Sequence, residues 1–297
     1  MPSGRVHSDS SASPETSGTA AAPITSKDNR WLKRFRAALA GDSGEPNVYG
    51  IEGPHLLEEA LRSSVEIETV LTCPAGEKHL ERLGLAGAAG TDAAPRVLRT
   101  TDRLFASIAG TETPQGIAAL VHLPEYAFED IVRGMPLVVV LVGVQDPGNV
   151  GTIVRSAEAF GATGIVAAAA SASPYGPKAM RASAGSVFRL PTLLRTQPAV
   201  LLAQLHVAGV SLVATTSGLS AEGTSPREPH AVDLRGPVAL LIGGEAHGLP
   251  NPVLRSADAA IRIPLAQPVE SLNAAVAASV VLYEAARQRA AALETQR

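Results

Sequence analysis

The stretch DPGNVGTIVRSAEAFGATGI, residues 146–165, combines residue types that could do chemistry. Gly148, Gly151 and Arg155 lie at positions i, i+3 and i+7, so in a helix they share one face. Two glycines leave the backbone open to close approach, and the arginine adds a permanent positive charge beside them. The pattern predicts a helix capped by Asn149 and stopped by Gly161, with room for another group to approach its backbone next to a guanidinium.

Two common glycine-rich motifs do not explain this stretch. Its spacing is GNVG rather than the G-x-G-x-x-G of dinucleotide-binding folds, no acidic residue ends the next strand, and the sequence contains no G-K-S/T loop. These absences argue against nicotinamide cofactors and ATP, and so against a nucleotide-dependent oxidoreductase. Taken alone, the stretch is also compatible with an ordinary glycine turn followed by a surface arginine.

Two later stretches repeat the theme of bare backbone beside polar side chains. IGGEAHGLP, at 242–250, surrounds Glu245 with glycines, among them Gly244. IPLAQPVESLNAAVAASVVLYEAAR, at 263–287, places Ser271 and Asn273 before an apolar run, where either residue could cap a helix. The apolar stripe of that helix is long enough to face another subunit.

These stretches follow apolar runs that read as buried strands. The runs lie at 137–144, 164–169, 210–216, 238–243 and 260–265, and helical patterns separate them. Continuous apolar strands alternating with helices predict an α/β domain with a mainly parallel sheet covered on both faces. Because ligands of such sheets bind at the carboxyl ends of the strands, the polar residues of the three stretches are expected at one edge.

The remaining sequence predicts a smaller α/β domain and a tail. Residues 1–29 are rich in small and polar residues and are expected to form a disordered tail. Residues 30–124 alternate strand and helix patterns, and a linker within 123–136 leads to a second domain at 134–297.

Composition narrows the function classes only slightly. The apolar runs are shorter than the roughly 20 residues of a membrane span, so no transmembrane helix is expected. The single cysteine, Cys73, excludes an internal disulfide, no zinc-binding spacing occurs, and the cytoplasm is the expected compartment. The net charge of −3 neither supports nor excludes an RNA substrate, although basic residues cluster at 27–39 and 177–189.

Taken together, the three stretches resemble the motifs of the SpoU (TrmH-like) branch of the SPOUT RNA methyltransferases. NVGTIVRSAEAFGA is similar to the first motif of that family, IGGEAHGLP to the second and IPLAQPVESLNAAVAASVVLYE to the third, in the same order. The segment before them, with VYGIEGPHLLEEAL and TETPQGIAAL, resembles the L30e-like substrate-binding domain that often precedes this fold.

The resemblance implies a fold, a cofactor and a partner that the patterns alone do not. It implies a deep trefoil knot in the C-terminal domain, a homodimer, S-adenosylmethionine as methyl donor and a ribose 2′-hydroxyl of RNA as acceptor, without a metal. By the same resemblance, the cofactor is expected to contact a set of residues that follow the strands: Thr215, Thr216, Ser217, Gly218, Gly244, Ile263, Leu265 and Leu272.

The resemblance also assigns roles to polar residues. Arg155 matches the catalytic arginine of the family; because a guanidinium holds its proton, we expect it to grip a phosphate and stabilise the developing alkoxide rather than act as a base. Asn149 matches a residue that orients Arg155 or the ribose. The residues expected to place the acceptor are Glu245, Ser271 and Asn273, and which of them takes the proton is left open.

Lys178 and Arg181 resemble an RNA-facing segment of the family, although they could equally be surface charges on a short helix. Gln267 and Pro268 depart from the third motif of many relatives, which affects the detail of the cofactor loop. Ribosomal RNA is the favoured substrate because of the N-terminal domain. The alternatives are transfer RNA as acceptor, or a catalytically silent RNA-binding assembly factor.

Overall fold

The computed structural model describes residues 22–86, 94–218 and 225–295. The N-terminal domain consists, in chain order, of α1 (Arg30–Leu39), β1 (Val48–Glu52), α2 (Pro54–Arg62), β2 (Glu66–Thr72), α3 (Glu77–Arg82), β3 (Arg96–Arg99), α4 (Asp102–Ala106) and β4 (Ile117–His122). Its strands form one sheet in the order β1-β4-β2-β3, in which β4 runs antiparallel to β1 and β2 while β3 pairs parallel with β2. The predicted small α/β domain is therefore present.

Residues 22–29 correct the predicted tail. Ile24 is buried, its N–H donates to the carbonyl of Arg99 at 2.7 Å, and it pairs with Thr100 beside β3. Asn29 caps α1 by accepting from the N–H of Trp31. The segment is thus structured because it buries an apolar side chain and satisfies backbone groups. Residues 1–21 of the predicted tail lie outside the described part of the chain.

The C-terminal domain is built around a wholly parallel sheet. Its elements are α5 (Phe128–Ile131), β5 (Leu137–Val142), α6 (Pro147–Ala159), β6 (Gly164–Ala168), α7 (Pro177–Ser183), β7 (Thr192–Thr196), α8 (Pro198–Val207), β8 (Ser211–Thr215), β9 (Val238–Gly243), α9 (Asn251–Arg255), β10 (Ala259–Ile261) and α10 (Ala274–Thr295). The strand order is β10-β8-β9-β5-β6-β7. The sequence patterns did not predict β7, and they predicted a linker where α5 lies. Ile131 of α5 is fully buried against this sheet.

Burial explains the parallel arrangement. Every residue of β5 is buried, because alternate side chains pack against helices on opposite faces of the sheet. Val139 and Leu141 share a core with α6 and α10, whereas Val138 and Val140 share one with α8 and α9. Strands covered on both faces gain from apolar residues at every position, which is why the runs read as continuous.

The chain returns to the middle of the sheet after its last strand. From β10 at one edge, residues 262–273 lead to α10, which packs against α6 and β9. β5 and β9 are neighbours in the sheet: β6 and β7 follow β5 on one side, whereas β8 and β10 lie beyond β9 on the other. In open α/β sheets, ligands bind outside the carboxyl ends of strands at such a change of direction. This path is compatible with the predicted knot and brings the second and third motifs to the first.

The two domains are joined by more than the connecting chain. The core formed by α2 in the N-terminal domain continues into the core under α6 and α10. At the surface of this junction, Arg189 donates to Glu59 at 2.9 Å and to Ser63 at 3.0 Å, both at α2, and also to Glu158 of α6 at 3.0 Å. Gly185, with φ of 88°, lets the chain turn where a Cβ would meet the Glu59 side chain. One guanidinium therefore links the N-terminal domain to the helix that carries the first motif.

Replacing Arg189 by alanine should loosen this junction. The variant leaves Glu59 and Glu158 without their shared cation, so we expect a loss of about 1 kcal/mol in the free energy of unfolding, modest because the side chain is 37% exposed. Cleavage of residues 123–136 by a protease should also become faster. Denaturant titration and timed proteolysis measure both effects.

Arg99→Ala is the matched control, because Arg99 also pairs with a carboxylate, Glu77 at 3.0 Å, and is similarly exposed at 33%, but both partners belong to the N-terminal domain. If Arg189→Ala behaved like this control in both assays, the junction would not depend on Arg189.

Candidate functional site

The first motif forms the start of α6, although not in the predicted way. Asp146, rather than Asn149, caps the helix by accepting from the N–H groups of Gly148 and Asn149. The N–H of Asn149 in particular, together with the ammonium of Lys178, lowers the pKa of Asp146. The signal is present in the sequence, since proline follows Asp146 at the first helical position, where it is favoured. Asn149 is thereby released from capping.

The glycines of this helix also differ in role from the prediction. A Cβ on Gly151 would lie 2.2 Å from the carbonyl oxygen of Ala179 and 2.6 Å from the Cβ of Ala182. The group that approaches this backbone is therefore α7, not a ligand. The close contact of α6 and α7 brings Lys178 to the start of α6, where its ammonium lies 3.3 Å from Asp146. Arg181, one turn further along α7, is half-buried.

Asn149 connects the three motifs. Its side-chain N–H donates to Glu245 of the second motif at 2.6 Å, and its oxygen accepts from the side chain of Asn273 in the third motif at 2.9 Å. Asn273 caps α10 through its own oxygen, which accepts from Ala275 and Val276, as the sequence allowed. Three of the predicted site residues thus form one hydrogen-bonded chain at the carboxyl edge of the sheet.

A cavity of about 560 Å³ opens beside Glu245. The cofactor-binding residues predicted from the resemblance line it with one exception, and two of the predicted acceptor-placing residues do as well: Thr215, Thr216, Ser217, Gly244, Ile263, Leu265, Leu272, Glu245 and Ser271. Gly218 is not in the lining; its N–H donates to Thr216 at 3.1 Å. The cavity also has lining residues that the sequence reasoning missed, notably His247, Asn251 and Glu270.

Backbone packing shapes one wall of the cavity. A Cβ on Gly244 would lie 2.1 Å from the carbonyl oxygen of Gly143, which follows β5. A Cβ on Gly243 would lie 2.3 Å from the backbone of Gly248, and the N–H of Gly248 donates to the Gly244 carbonyl at 2.9 Å. The glycines therefore allow the loops after β5 and β9 to touch, which holds Glu245 within reach of Asn149.

Arg155 lies outside both the hydrogen-bonded chain and the cavity lining. It is exposed on α6 and has no hydrogen bond or ion pair with any residue of the described ranges. Its neighbours on the helix pack along α10: Ser156 hydrogen-bonds Ser279 at 2.7 Å, and Thr152 lines a shallow apolar surface with Val276 and Tyr283. The guanidinium is free to bind a ligand at this surface.

The described residues hold no group of three or more His, Cys, Asp and Glu side chains arranged for a metal ion. Within the same residues, no helix combines the length and apolar character that a bilayer crossing requires.

The chain is similar to known proteins along both domains. Residues 136–283 match the SpoU rRNA Methylase family, and residues 44–119 match the MRM3-like substrate binding domain. A 23S rRNA (guanosine-2′-O-)-methyltransferase, RlmB, of Xylella fastidiosa (strain 9a5c) is 36% identical over 270 residues, which cover 89% of this chain and 98% of the relative. The chain belongs to the SpoU rRNA methylase family.

Two further similar proteins span most of the chain as well. The 23S rRNA (guanosine(2553)-2′-O)-methyltransferase RlmP of Bacillus subtilis is 30% identical and covers 80% of this chain and 88% of its own length. The crystal structure of an AdoMet-bound rRNA methyltransferase from Sinorhizobium meliloti superposes with a TM-score of 0.76 at 30% identity, covering 90% of this chain and 97% of that one. The predicted α/β class with a parallel sheet and a smaller N-terminal domain is confirmed.

Replacing Gly244 by alanine should disturb the packing that shapes the cavity wall. The added Cβ must push the loop after β9 away from Gly143, so we expect binding of S-adenosylmethionine, the ligand implied by the resemblance, to weaken by roughly tenfold or more. Calorimetric titration measures the affinity, and circular dichroism verifies the fold.

Gly236→Ala serves as the control, because a Cβ there meets nothing within 4 Å. Equal affinity in the two variants would show that the Gly244 contact does not shape the ligand site.

Proposed function

We propose that this SpoU-family chain transfers the methyl group of S-adenosylmethionine to a ribose 2′-hydroxyl of RNA, with 23S ribosomal RNA as the substrate. The observation that carries the proposal is the Glu245–Asn149–Asn273 chain of hydrogen bonds, which lies at the rim of the 560 Å³ cavity. The named activities of the RlmB and RlmP relatives support the choice of ribosomal RNA. The proposal places the protein in the cytoplasm with its substrate.

The cavity fits the proposed cofactor in size and in chemistry. Its volume falls within the roughly 300–1,000 Å³ of small-molecule sites, and it combines apolar side chains such as Leu249 and Leu272 with hydroxyls and backbone groups. Two carboxylates, Glu245 and Glu270, border it and suit a ligand that carries a sulfonium and an ammonium. When bound, S-adenosylmethionine supplies an activated methyl group.

The chain's own residues would hold and orient the acceptor. Lys178 and Arg155 lie on exposed surfaces beside α6 and can bind phosphates on either side of the target ribose. Asn149 is fixed by hydrogen bonds on both sides of its amide, so it presents one orientation to the ribose. Arg155 stabilises negative charge on the 2′-oxygen while the proton of the hydroxyl would pass to the carboxylate of Glu245, and the guanidinium needs no proton transfer of its own.

Replacing Arg155 by alanine should reduce methyl transfer to unmodified 23S RNA by roughly 100-fold or more, because an electrostatic contribution present mainly in the transition state is lost. The affinity for S-adenosylmethionine should stay unchanged, since Arg155 does not line the cavity. Transfer of a labelled methyl group, followed by digestion to nucleosides, measures the rate and the position of the label.

Arg133→Ala is the matched control: Arg133 is a 78% exposed arginine that pairs with Asp130 in the connecting segment. Label on a base, or full activity in Arg155→Ala, would contradict the proposed mechanism. Label on transfer RNA alone would favour that alternative acceptor. RNA binding without binding of the methyl donor would favour the assembly-factor alternative.

The proposal includes a homodimer that packs through α10. Three apolar side chains stand on one exposed face of this helix: Val276 is 49% exposed, Val280 39% and Tyr283 56%. They surround the same shallow surface as Thr152 of α6, and Arg155 lies one turn beyond Thr152. A clustered apolar face of this kind supports a protein contact, which would place Arg155 at its border.

Val280→Glu should convert the dimer to a monomer, because a carboxylate buried in an apolar contact without a partner is strongly unfavourable. Light scattering coupled to gel filtration measures the mass. The control is Val207→Glu on α8, since Val207 is 91% exposed and lies away from α10. The dimer proposal is wrong if the wild-type chain is already a monomer, or if Val207→Glu is the variant that dissociates.

A further inference from the structure

The N-terminal helix carries a cluster of aromatic and cationic side chains that the site described above does not use. Trp31 is half-buried, and three guanidinium carbons lie near its ring centroid: that of Arg96 at 5.1 Å, of Arg34 at 5.5 Å and of Arg30 at 5.6 Å. We call these four residues the Trp31 cluster. Arg30, Trp31 and Arg34 lie before residue 44, where the match to the MRM3-like substrate binding domain begins, whereas Arg96 lies within that match.

The three arginines of the cluster have different surroundings. Arg34 is held by two carboxylates, at 2.6 Å from Glu45 and 2.7 Å from Glu68, and its side chain is 22% exposed. Arg30 and Arg96 are exposed and have no carboxylate partner within the described ranges. Arg34 is therefore a fixed support for the ring, whereas Arg30 and Arg96 remain able to bind an anion.

Helix α1 concentrates positive charge in a chain whose formal net charge is −3. Its sequence, RWLKRFRAAL, contains four cations and no carboxylate, and Arg30 occupies the first turn. A cation at the amino end of a helix opposes the helix dipole, so this placement lowers helix stability by a few tenths of a kcal/mol. Lys33 lies 3.7 Å from Asp28 and Arg34 is paired with two carboxylates, so a bound polyanion would relieve the dipole cost and the repulsion between Arg30 and Arg96.

The position of α1 determines which part of a ligand could contact the Trp31 cluster. The helix crosses one face of the N-terminal sheet, from Arg96 of β3 at one edge to the region of β1 at the other. Just beyond its end, Gly41 lies against Pro177 at the start of α7, next to Lys178. Ten helical residues span about 15 Å, so a ligand that contacts both the Trp31 cluster and Lys178 must extend along the length of α1.

We propose that the Trp31 cluster binds a single-stranded part of the RNA substrate, with one base stacked on Trp31 and the neighbouring phosphates held by Arg30 and Arg96. Aromatic rings flanked by arginines are suited to unpaired bases, because every base offers a face for stacking and every nucleotide a phosphate. The inference rests on the proposed RNA methyltransferase function and assigns to α1 a contact remote from the methylated nucleotide.

The sequence offers a direct probe, since Trp31 is the only tryptophan of the chain. Tryptophan emission of the wild-type protein should fall on titration with an unmodified 23S RNA fragment. The half-maximal change should occur at the dissociation constant that filter binding gives. Unchanged emission at saturating RNA would overturn the proposal. So would an equal fall with heparin, because stacking requires bases rather than charge alone.

Variants separate stacking from charge. Trp31→Ala should weaken RNA binding roughly 5- to 100-fold and raise KM with little change in kcat, while Trp31→Phe should recover part of the affinity. Arg30→Ala and Arg96→Ala, at exposed sites that do not support the core, should each reduce the slope of log affinity against log salt by about one. Arg82→Ala is the control, because Arg82 of α3 packs on the opposite face of the N-terminal sheet and pairs with Glu58.

Two substrates make the outcome unambiguous. A short RNA that carries only the target nucleotide and its immediate neighbours should bind wild type and Trp31→Ala equally, whereas a longer fragment should distinguish them. Equal binding of the longer fragment by Trp31→Ala, Arg30→Ala, Arg96→Ala and wild type would overturn the inference. RNA binding that depends on Trp31, in a protein that transfers no methyl group, would instead leave this inference standing and refute the proposed function.

Discussion

The amide of Asn149 is the constraint on which the site depends. Glu245 can only accept a hydrogen bond and the Asn273 side chain here donates one, so the residue between them must donate on one side and accept on the other. An asparagine does this in one orientation only. Its two partners are 96 and 124 residues away in the sequence, so these two hydrogen bonds fix the relative positions of three segments that the chain itself does not hold together.

This arrangement needs a rigid support, which the sheet supplies. Parallel strands buried on both faces leave no freedom of register, and β5 and β9 are paired along six residues. The loops that follow them touch because Gly244 lacks a side chain. Backbone contacts thus shape the wall of the cavity between β5 and β9, while side chains such as Leu249 and Leu272 line the rest of it.

The sequence predicted most strands of the C-terminal sheet, and it predicted that Asn149, Glu245 and Asn273 meet at one edge, because both features leave local signals. Continuous apolar runs identified β5, β6, β8 and β9, and glycines beside Asn149 and Glu245 marked the edge where they meet. The predictions failed where the reason was a contact between distant segments. The spacing predicts that Gly151 is open to a ligand, but it faces α7. Composition predicts that Ile24 belongs to a disordered tail, but it is buried beside β3. The spacing of apolar residues along the sequence carries no information about such contacts between distant segments.

The shared guanidinium of Arg189 has a consequence for how such proteins could diversify. Because it hydrogen-bonds both Glu59 and Glu158, an N-terminal domain taken from another protein would keep this link to the helix of Asn149 and Arg155 only if it supplied an acidic group at the place of Glu59. It would also have to supply the apolar face of α2 that continues the shared core. An exchanged N-terminal module therefore has to match this scaffold in its apolar face and in its surface charge. Recombination that exchanges only the N-terminal domain would keep the methyltransferase site intact. It would lose the fixed position of the N-terminal domain relative to that site.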